Sequence, residues 1–313
     1  MDGVLVIAKP AGPTSHDVVA LVRRLASTKR VGHGGTLDPF ASGVLPLFLG
    51  RATRLVEYHL GDRKGYRATV CFGASSTTDD LEGELRPTAA PAPSRAAVEA
   101  ALVTFLGPIS QRPPDYSAIK VAGRRAYAMA RAGEHVELAS REVTIHRLDL
   151  VEWDAADPDR PIAVVDVECS AGTYIRAVAR DLGEAVGGAA YLGALVRTAS
   201  GPFRLDGAVS LDRAREAAAD GPDRLAALLL PLDAGLDELP ELIVTDEEVQ
   251  AIARGQFVRP KTGESTRLSA PASDGPIRIR DAHGRLIAIA TLTDGRLAPD
   301  KVLIESPASG ADA

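Results

Sequence analysis

The chain has 313 residues, 45% hydrophobic and 25% charged, with a formal net charge of −6 at neutral pH. That length supports a full core plus a second, smaller unit, and no apolar run approaches the roughly 20 residues that cross a bilayer. The start, MDGVLVIAKP, carries an acid and no basic stretch, which argues against a secretory signal. Cys71 and Cys169 fall in separate strand-like runs without CxxC spacing, and the six histidines are scattered. Neither a disulfide framework nor a metal centre is expected, and the predicted compartment is the reducing cytoplasm.

In chain order, Val4–Ala8 is a buried strand closed by the turn residues of Lys9–Pro13. Thr14 and Asp17 have capping-box spacing for a helix to Leu25 whose apolar face is Val18, Leu21, Val22 and Leu25. After the glycine-rich stretch Val31–Gly50 a helix is predicted over Arg51–Leu60, then an alternating strand from Tyr66 to Phe72. Gly73–Gly83 is predicted to be a polar loop, and Ser94 caps a helix to Leu106. Strands follow at Thr144–Trp153 and Ile162–Cys169, a helix from Gly172 to Val186, and a strand at Ala190–Thr198. Leu211–Leu230 is largely helical with a break at Gly221-Pro222. Residues 231–241 form an expected linker between a body over 1–230 and a small β unit over 242–305, with a frayed tail at 306–313. That unit has a helix at Asp246–Arg254, a hairpin at Ile277–Arg280 and Leu286–Thr293, and a last strand at Lys301–Ile304.

Charge is uneven. Lys29–Arg67 holds seven Lys/Arg against three Asp/Glu, whereas Asp206–Glu248 holds three against twelve. Arg112–Arg147 is also basic, with prolines, two tyrosines and a short helix expected over Arg124–Ala132. It reads as a binding arm or as a surface insertion with no partner. Within Val31–Gly50, Asp38 is locked between Leu37 and Pro39, which stiffens its backbone. An Asp-Pro turn is the simpler reading of the dipeptide, and a catalytic carboxylate is the reading favoured by the longer pattern around it. Such a carboxylate needs a cation to stay ionised without water, and Arg176 is a candidate. Tyr66 could pack or stack on a nucleobase, and His33, solvent-accessible between glycines, could also stack.

These segments together resemble a known family. G-H-x-G-T-L-D-P-x-A-S-G-V-L-P around Asp38 is similar to the catalytic signature of the tRNA pseudouridine synthase B family. K-P-x-G-x-T-S at Lys9–Ser15, Y-R-A-T-V at Tyr66–Val70 and T-x-D-x-x-G at Thr78–Gly83 resemble further motifs of that family. So do S-A-I-K-V-x-G-R-R-A-Y at Ser117–Tyr127, G-T-Y-I-R at Gly172–Arg176 and L-x-R at Leu195–Arg197. Gly34 departs from a threonine or alanine common in the family, and Val196 from an arginine.

The resemblance implies an α/β (α+β) pseudouridine-synthase fold with a mixed, largely antiparallel central sheet and a small β-rich PUA-like RNA-binding domain. It implies isomerisation of the tRNA T-loop uridine (position 55) without a cofactor or metal. The enzyme would cleave C1′–N1, turn the base and rejoin it through C5. Asp38, Tyr66 and Arg176 would be catalytic. Lys9, His33, Asp80, Lys120, Arg124, Arg125, Tyr174, Leu195 and Arg197 would bind substrate. The implied partner is the T arm of tRNA with its uridine flipped out, bound by a monomer needing no protein partner and no membrane. The alternatives are a non-catalytic tRNA-binding module, a synthase for another RNA site, an RNA-guided relative, and a glycoside hydrolase. The last needs a second acid against Asp38, for which Asp80 is the candidate.

Overall fold

The structure, a computed structural model, describes residues 1–116, 120–121, 124–125, 129, 138–259 and 275–305. The first half contains β1 (Gly3–Lys9), α1 (Ser15–Leu25), β2 (Val31–His33), β3 (Ser42–Leu49), a 3₁₀ helix (Gly50–His59) and β4 (Lys64–Phe72). A small hairpin, β5 (Ala74–Ser76) and β6 (Leu85–Pro87), precedes α2 (Arg95–Val103) and β7 (Gly107–Gln111). A second hairpin pairs β8 (Lys120–Val121) with β9 (Arg124–Arg125). Next come β10 (Arg141–Asp154), β11 (Ile162–Cys169), α3 (Ile175–Ala185), β12 (Ala190–Ser200), β13 (Phe203–Arg204), β14 (Val209–Ser210), α4 (Leu211–Ala219) and α5 (Pro222–Ala226). The C-terminal part holds β15 (Glu241–Ile243), α6 (Asp246–Ala253), β16 (Pro276–Arg280), β17 (Leu286–Thr293) and β18 (Arg296–Val302).

The main sheet runs β14-β1-β3-β12-β4-β11-β10-β7, with β2 on β3 and β13 on β12. Only the β1–β14 and β3–β12 pairs in it are parallel, so the expected mixed, largely antiparallel sheet is present. Alternation builds its buried face: Ala68, Val70 and Phe72 of β4 meet Ala163, Val165 and Val167 of β11 under α2 and α3. Val18, Val19 and Val22 of α1 cover Leu5, Ile7, Leu45 and Leu47 on the other half. The capping box forms as the spacing predicts: Asp17 N–H donates to Thr14 Oγ1 at 3.1 Å, and Thr14 N–H to Asp17 Oδ2 at 2.9 Å. Pro46 sits mid-strand without harm. Its carbonyl accepts from Gly34 N–H, so its nitrogen faces the same side, past the end of the β2 ladder at His33.

Four local expectations change. The Arg51–Leu60 helix is a 3₁₀ helix over Gly50–His59. The Gly73–Gly83 loop contains β5 and buries Ser76 and Asp80, because Ser76 Oγ donates to Asp80 O at 2.5 Å and Thr78 Oγ1 to Asp80 Oδ1 at 2.5 Å. Side-chain hydrogen bonds let this polar loop close on itself and pack. Arg124–Arg125 is strand, and the rest of the helix expected to Ala132 lies outside the described residues except for 129, as does the tail 306–313. The last strand is Arg296–Val302, and as an edge strand it tolerates Pro299.

The C-terminal sheet, β15-β16-β17-β18, has its own core of Leu242, Ile252, Ile279 and Ile287. It rests on the 3₁₀ helix: Leu55 packs with Leu236, Leu286, Ile289 and Leu303, Arg51 donates to Leu303 O at 2.9 Å, and Lys301 pairs with Glu57 at 2.7 Å. The segment between the sheets is packed, since Leu236 and Asp233 are buried and Asp233 pairs with Arg280.

Gly43 is the tightest point of the β3–β12 pairing. Its φ is +109°, and a Cβ would stand 2.2 Å from Arg197 O. Gly43→Ala is therefore expected to cost about 3 kcal/mol, read as a lowered thermal midpoint relative to Gly187→Ala, where a Cβ meets nothing within 4 Å.

Candidate active site

The loop between β2 and β3 carries Asp38, and its main chain is held from three directions. Lys9 Nζ, at the end of β1, donates to Pro39 O at 3.2 Å and Ala41 O at 2.6 Å. Arg197 of β12 donates to Val44 O at 2.7 Å, Thr36 O at 3.1 Å and Gly35 O at 3.1 Å. Ser15 Oγ donates to Leu37 O at 3.0 Å and accepts from Leu37 N–H at 2.8 Å. Lys9 and Arg197 are each 1% exposed. Both cations are turned inward onto loop carbonyls, and Arg197 also lines the cavity beside Asp38. Burial pulls the Lys9 ammonium down to about 8.

Arg176 joins this loop to two others. It is 6% exposed and lies at the first turn of α3, with Nε 3.0 Å from Asp38 Oδ2 and Nη1 3.3 Å from Asp80 Oδ2. Nη1 also donates to Thr78 O at 3.0 Å, and Nη2 to Tyr116 O at 2.9 Å. The Nε–H makes a close charge contact with Asp38 but no aligned hydrogen bond. Asp38 is the more open partner, its side chain 36% exposed, whereas that of Asp80 is 4% exposed. Asp80 Oδ1 accepts from Thr78 Oγ1 and from Glu82 N–H at 3.0 Å. One carboxylate is tied down and the other faces a cavity of about 640 Å³. Burial raises the Asp38 carboxyl above its usual value; Arg176 opposes the rise and the nearby Asp80 charge adds to it.

Tyr66 and Leu195 line the cavity beside Arg197, and Tyr66 is the register partner of Arg197 across β4 and β12. Burial pushes the Tyr66 phenol up. Tyr174 closes another wall. Its N–H donates to Gln111 Oε1 at 2.8 Å, Gln111 Nε2 donates back to its carbonyl at 3.1 Å, and the Arg141 guanidinium lies 4.4 Å from its ring centroid.

His33 stands apart from this cavity. It accepts from Gly35 N–H through Nδ1 at 3.3 Å and lines a separate hollow with His16, Arg23, Lys29 and Arg30. Burial, helped by the Arg197 charge, lowers its pKa and favours the neutral ring. The structure describes the backbone but not the side chains of Lys120, Arg124 and Arg125.

Of the two departures, Gly34 lines the cavity and Val196 does not. A Cβ at Gly34 would come within 3.1 Å of Phe48, so glycine suits this neighbour. Val196 alternates with Arg197 and so points to the opposite sheet face.

Sequence reasoning missed three contributors. Lys64 lines the cavity, buried, its ammonium lowered to about 8 by burial. Its position two residues before Tyr66 on one strand face was a usable signal. Gln111 and Arg141 act through Tyr174, more than thirty residues away from either, and no local pattern marks them.

Comparison with known proteins gives the same assignment. Residues 23–175 match the family model described as TruB family pseudouridylate synthase, N-terminal domain, and residues 176–237 match the tRNA pseudouridylate synthase B C-terminal domain. Proteins named tRNA pseudouridine synthase B are 44% identical over 96% of this chain and 85% of the relative in Bradyrhizobium diazoefficiens, and 43% over 99% and 98% in Arthrobacter sp. strain FB24. The chain belongs to the tRNA pseudouridine synthase B family. Among solved structures, the archaeal box H/ACA sRNP Nop10–Cbf5 complex contains a chain with a TM-score of 0.72 and 25% identity, covering 97% of this chain and 86% of that one. For this family member the geometry carries an electrostatic consequence. Asp80→Asn removes the anion that raises Asp38, so the Asp38 carboxyl midpoint, followed by carbon NMR, should fall relative to wild type. An unchanged or higher midpoint would refute the coupling.

Proposed function

We propose that this protein converts the T-loop uridine of tRNA to pseudouridine, with Asp38 as the reacting carboxylate. The observation that carries this is one half-open aspartate held by a buried arginine at the mouth of a cavity lined by Tyr66 and Leu195. Detaching uracil from C1′ develops positive charge on the sugar, and a single ionised carboxylate meets that demand as nucleophile or base. Arg176 keeps Asp38 ionised and aimed. Tyr66 stacks on the extruded uracil, in a space that a nucleotide reaches only after leaving its stack. His33, in its separate hollow, fills the position that the nucleotide vacates.

The glycoside-hydrolase alternative weakens on the same geometry. Asp80 has its oxygens engaged by Thr78, Glu82 and Arg176, so it cannot act as a second free acid or base. Residues 1–230 form the catalytic domain in this reading. Residues 112–147 grip tRNA through Lys120, Arg124 and Arg125, residues 231–241 connect, and residues 242–305 are a PUA-like RNA-binding domain. The enzyme works as a cytoplasmic monomer without a cofactor.

Asp38→Asn should abolish conversion of a T-arm transcript, measured as pseudouridine formed, while tRNA affinity stays within about threefold of wild type. Arg176→Lys should lower the single-turnover rate by about 10²-fold, because lysine keeps the charge but loses the planar fork. Near-normal turnover by the asparagine variant would overturn the reading. Replacing Lys120, Arg124 and Arg125 by alanine should flatten the log affinity against log salt slope by roughly one unit per lost phosphate contact, with little change in rate at saturating tRNA.

A further inference from the structure

Arg180 lies one helical turn after Arg176, on the same face of α3, and does not line the Asp38 cavity. Its contacts nonetheless parallel those of Arg176. Nη1 donates to Asp79 Oδ2 at 2.8 Å, and Nη2 donates to Arg112 O at 2.9 Å. Arg176, one turn earlier, reaches the same two segments at Thr78 and Asp80 and at Tyr116. Two arginines on one helix face therefore fasten the Thr78–Asp80 turn and the Arg112–Tyr116 root of the basic arm.

The turn needs fastening at Asp79. This residue has φ of +61°, in the left-handed region that costs a residue with a Cβ roughly 1 kcal/mol or more. Its neighbour Asp80 is the residue whose carboxylate must face Arg176. The Asp79 carbonyl accepts from Leu192 N–H at 3.0 Å, which fixes one side of the turn, and Arg180 holds the other through the side chain.

We infer that Arg180 is a positioning residue for the isomerisation: by pinning Asp79 in its left-handed turn it aims Asp80 at Arg176, and so sets the Asp38–Arg176 pair. The inference rests on the proposed activity for its rate measurement. It assigns Arg180 no contact with the uridine.

The experiment compares Arg180→Met, Asp79→Ala, Asp79→Gly and the Arg180→Met/Asp79→Gly double variant. Each is assayed for single-turnover pseudouridine formation at saturating T-arm RNA, for RNA affinity and for the acid limb of the pH–rate profile. Arg180→Met should slow the rate about tenfold while affinity changes less than threefold. Its acid limb should move to lower pH, as Asp80 relaxes away from the Asp38 pair. Asp79→Ala should match it, which preserves the test if the methionine variant folds poorly. Asp79→Gly should stay near wild type, and in the Arg180→Met background it should recover most of the lost rate, because glycine takes positive φ without a partner. A wild-type rate in Arg180→Met, or no recovery with glycine at 79, would overturn the inference. Wild-type protein that forms no pseudouridine would instead overturn the proposed function.

Discussion

Two buried cations on main-chain carbonyls are the constraint on which the rest of this structure depends. Lys9 and Arg197 come from strands on either side of β3 and converge on the loop that carries Asp38, meeting carbonyls of residues 35, 36, 39, 41 and 44. An ammonium or guanidinium removed from water is costly unless its donors are met. Here the loop supplies the acceptors, so loosening the loop would strand two charges. That coupling gives a surface loop the rigidity of the core, and it explains why a polar, glycine-rich stretch holds one conformation. Catalytic groups require placement within fractions of an ångström, and a loop fixed in this way can supply it.

The same cations shape the electrostatics of the cavity. Lys64, Arg141, Arg176 and Arg197 line the cavity with Asp38, Asp80 and Glu82, so the positive groups outnumber the carboxylates there inside a protein of net charge −6. A phosphate-bearing substrate meets a locally favourable field without a basic surface overall. Burial and the Asp80 charge push Asp38 toward its neutral form while Arg176 pulls it back. The balance leaves this carboxylate poorly solvated beside a fixed cation, an arrangement suited to answering developing positive charge.

Much of this was legible beforehand. Alternation from Tyr66 to Phe72, the Thr14–Asp17 box and the Asp38-Pro39 loop each follow from a local rule, and the structure contains all three. The pairing of Arg176 with Asp38 was also within reach, because a stiffened carboxylate needs a cation and a glycine turn offered one. What escaped has a common cause. That Lys9 and Arg197 hold the Asp38 loop through its carbonyls shows only in the tertiary structure, since no local pattern marks converging acceptors. The Gly73–Gly83 stretch looked too polar to pack, yet Ser76, Thr78 and Asp80 satisfy one another and go inside. Gln111 and Arg141 support Tyr174 across the fold, with no periodicity to reveal them.

Strand register converts these contacts into a fixed geometry. Arg197 is the parallel partner of Gly43 on β3 and the antiparallel partner of Tyr66 on β4. One residue therefore sets the height of the Asp38 loop on one side and of the tyrosine on the other. A slip of one residue in either ladder would turn the Arg197 side chain to the opposite face, away from the carbonyls of Gly35 and Thr36. It would also bring a Cβ-bearing residue where Gly43 now lies against the Arg197 backbone, a contact with room for glycine alone. The sheet thus admits one alignment of loop and tyrosine, and it does so with the same arginine that rigidifies the loop. Placement of the Asp38 loop and of Tyr66 is a single structural decision, made at the junction of a parallel and an antiparallel pair.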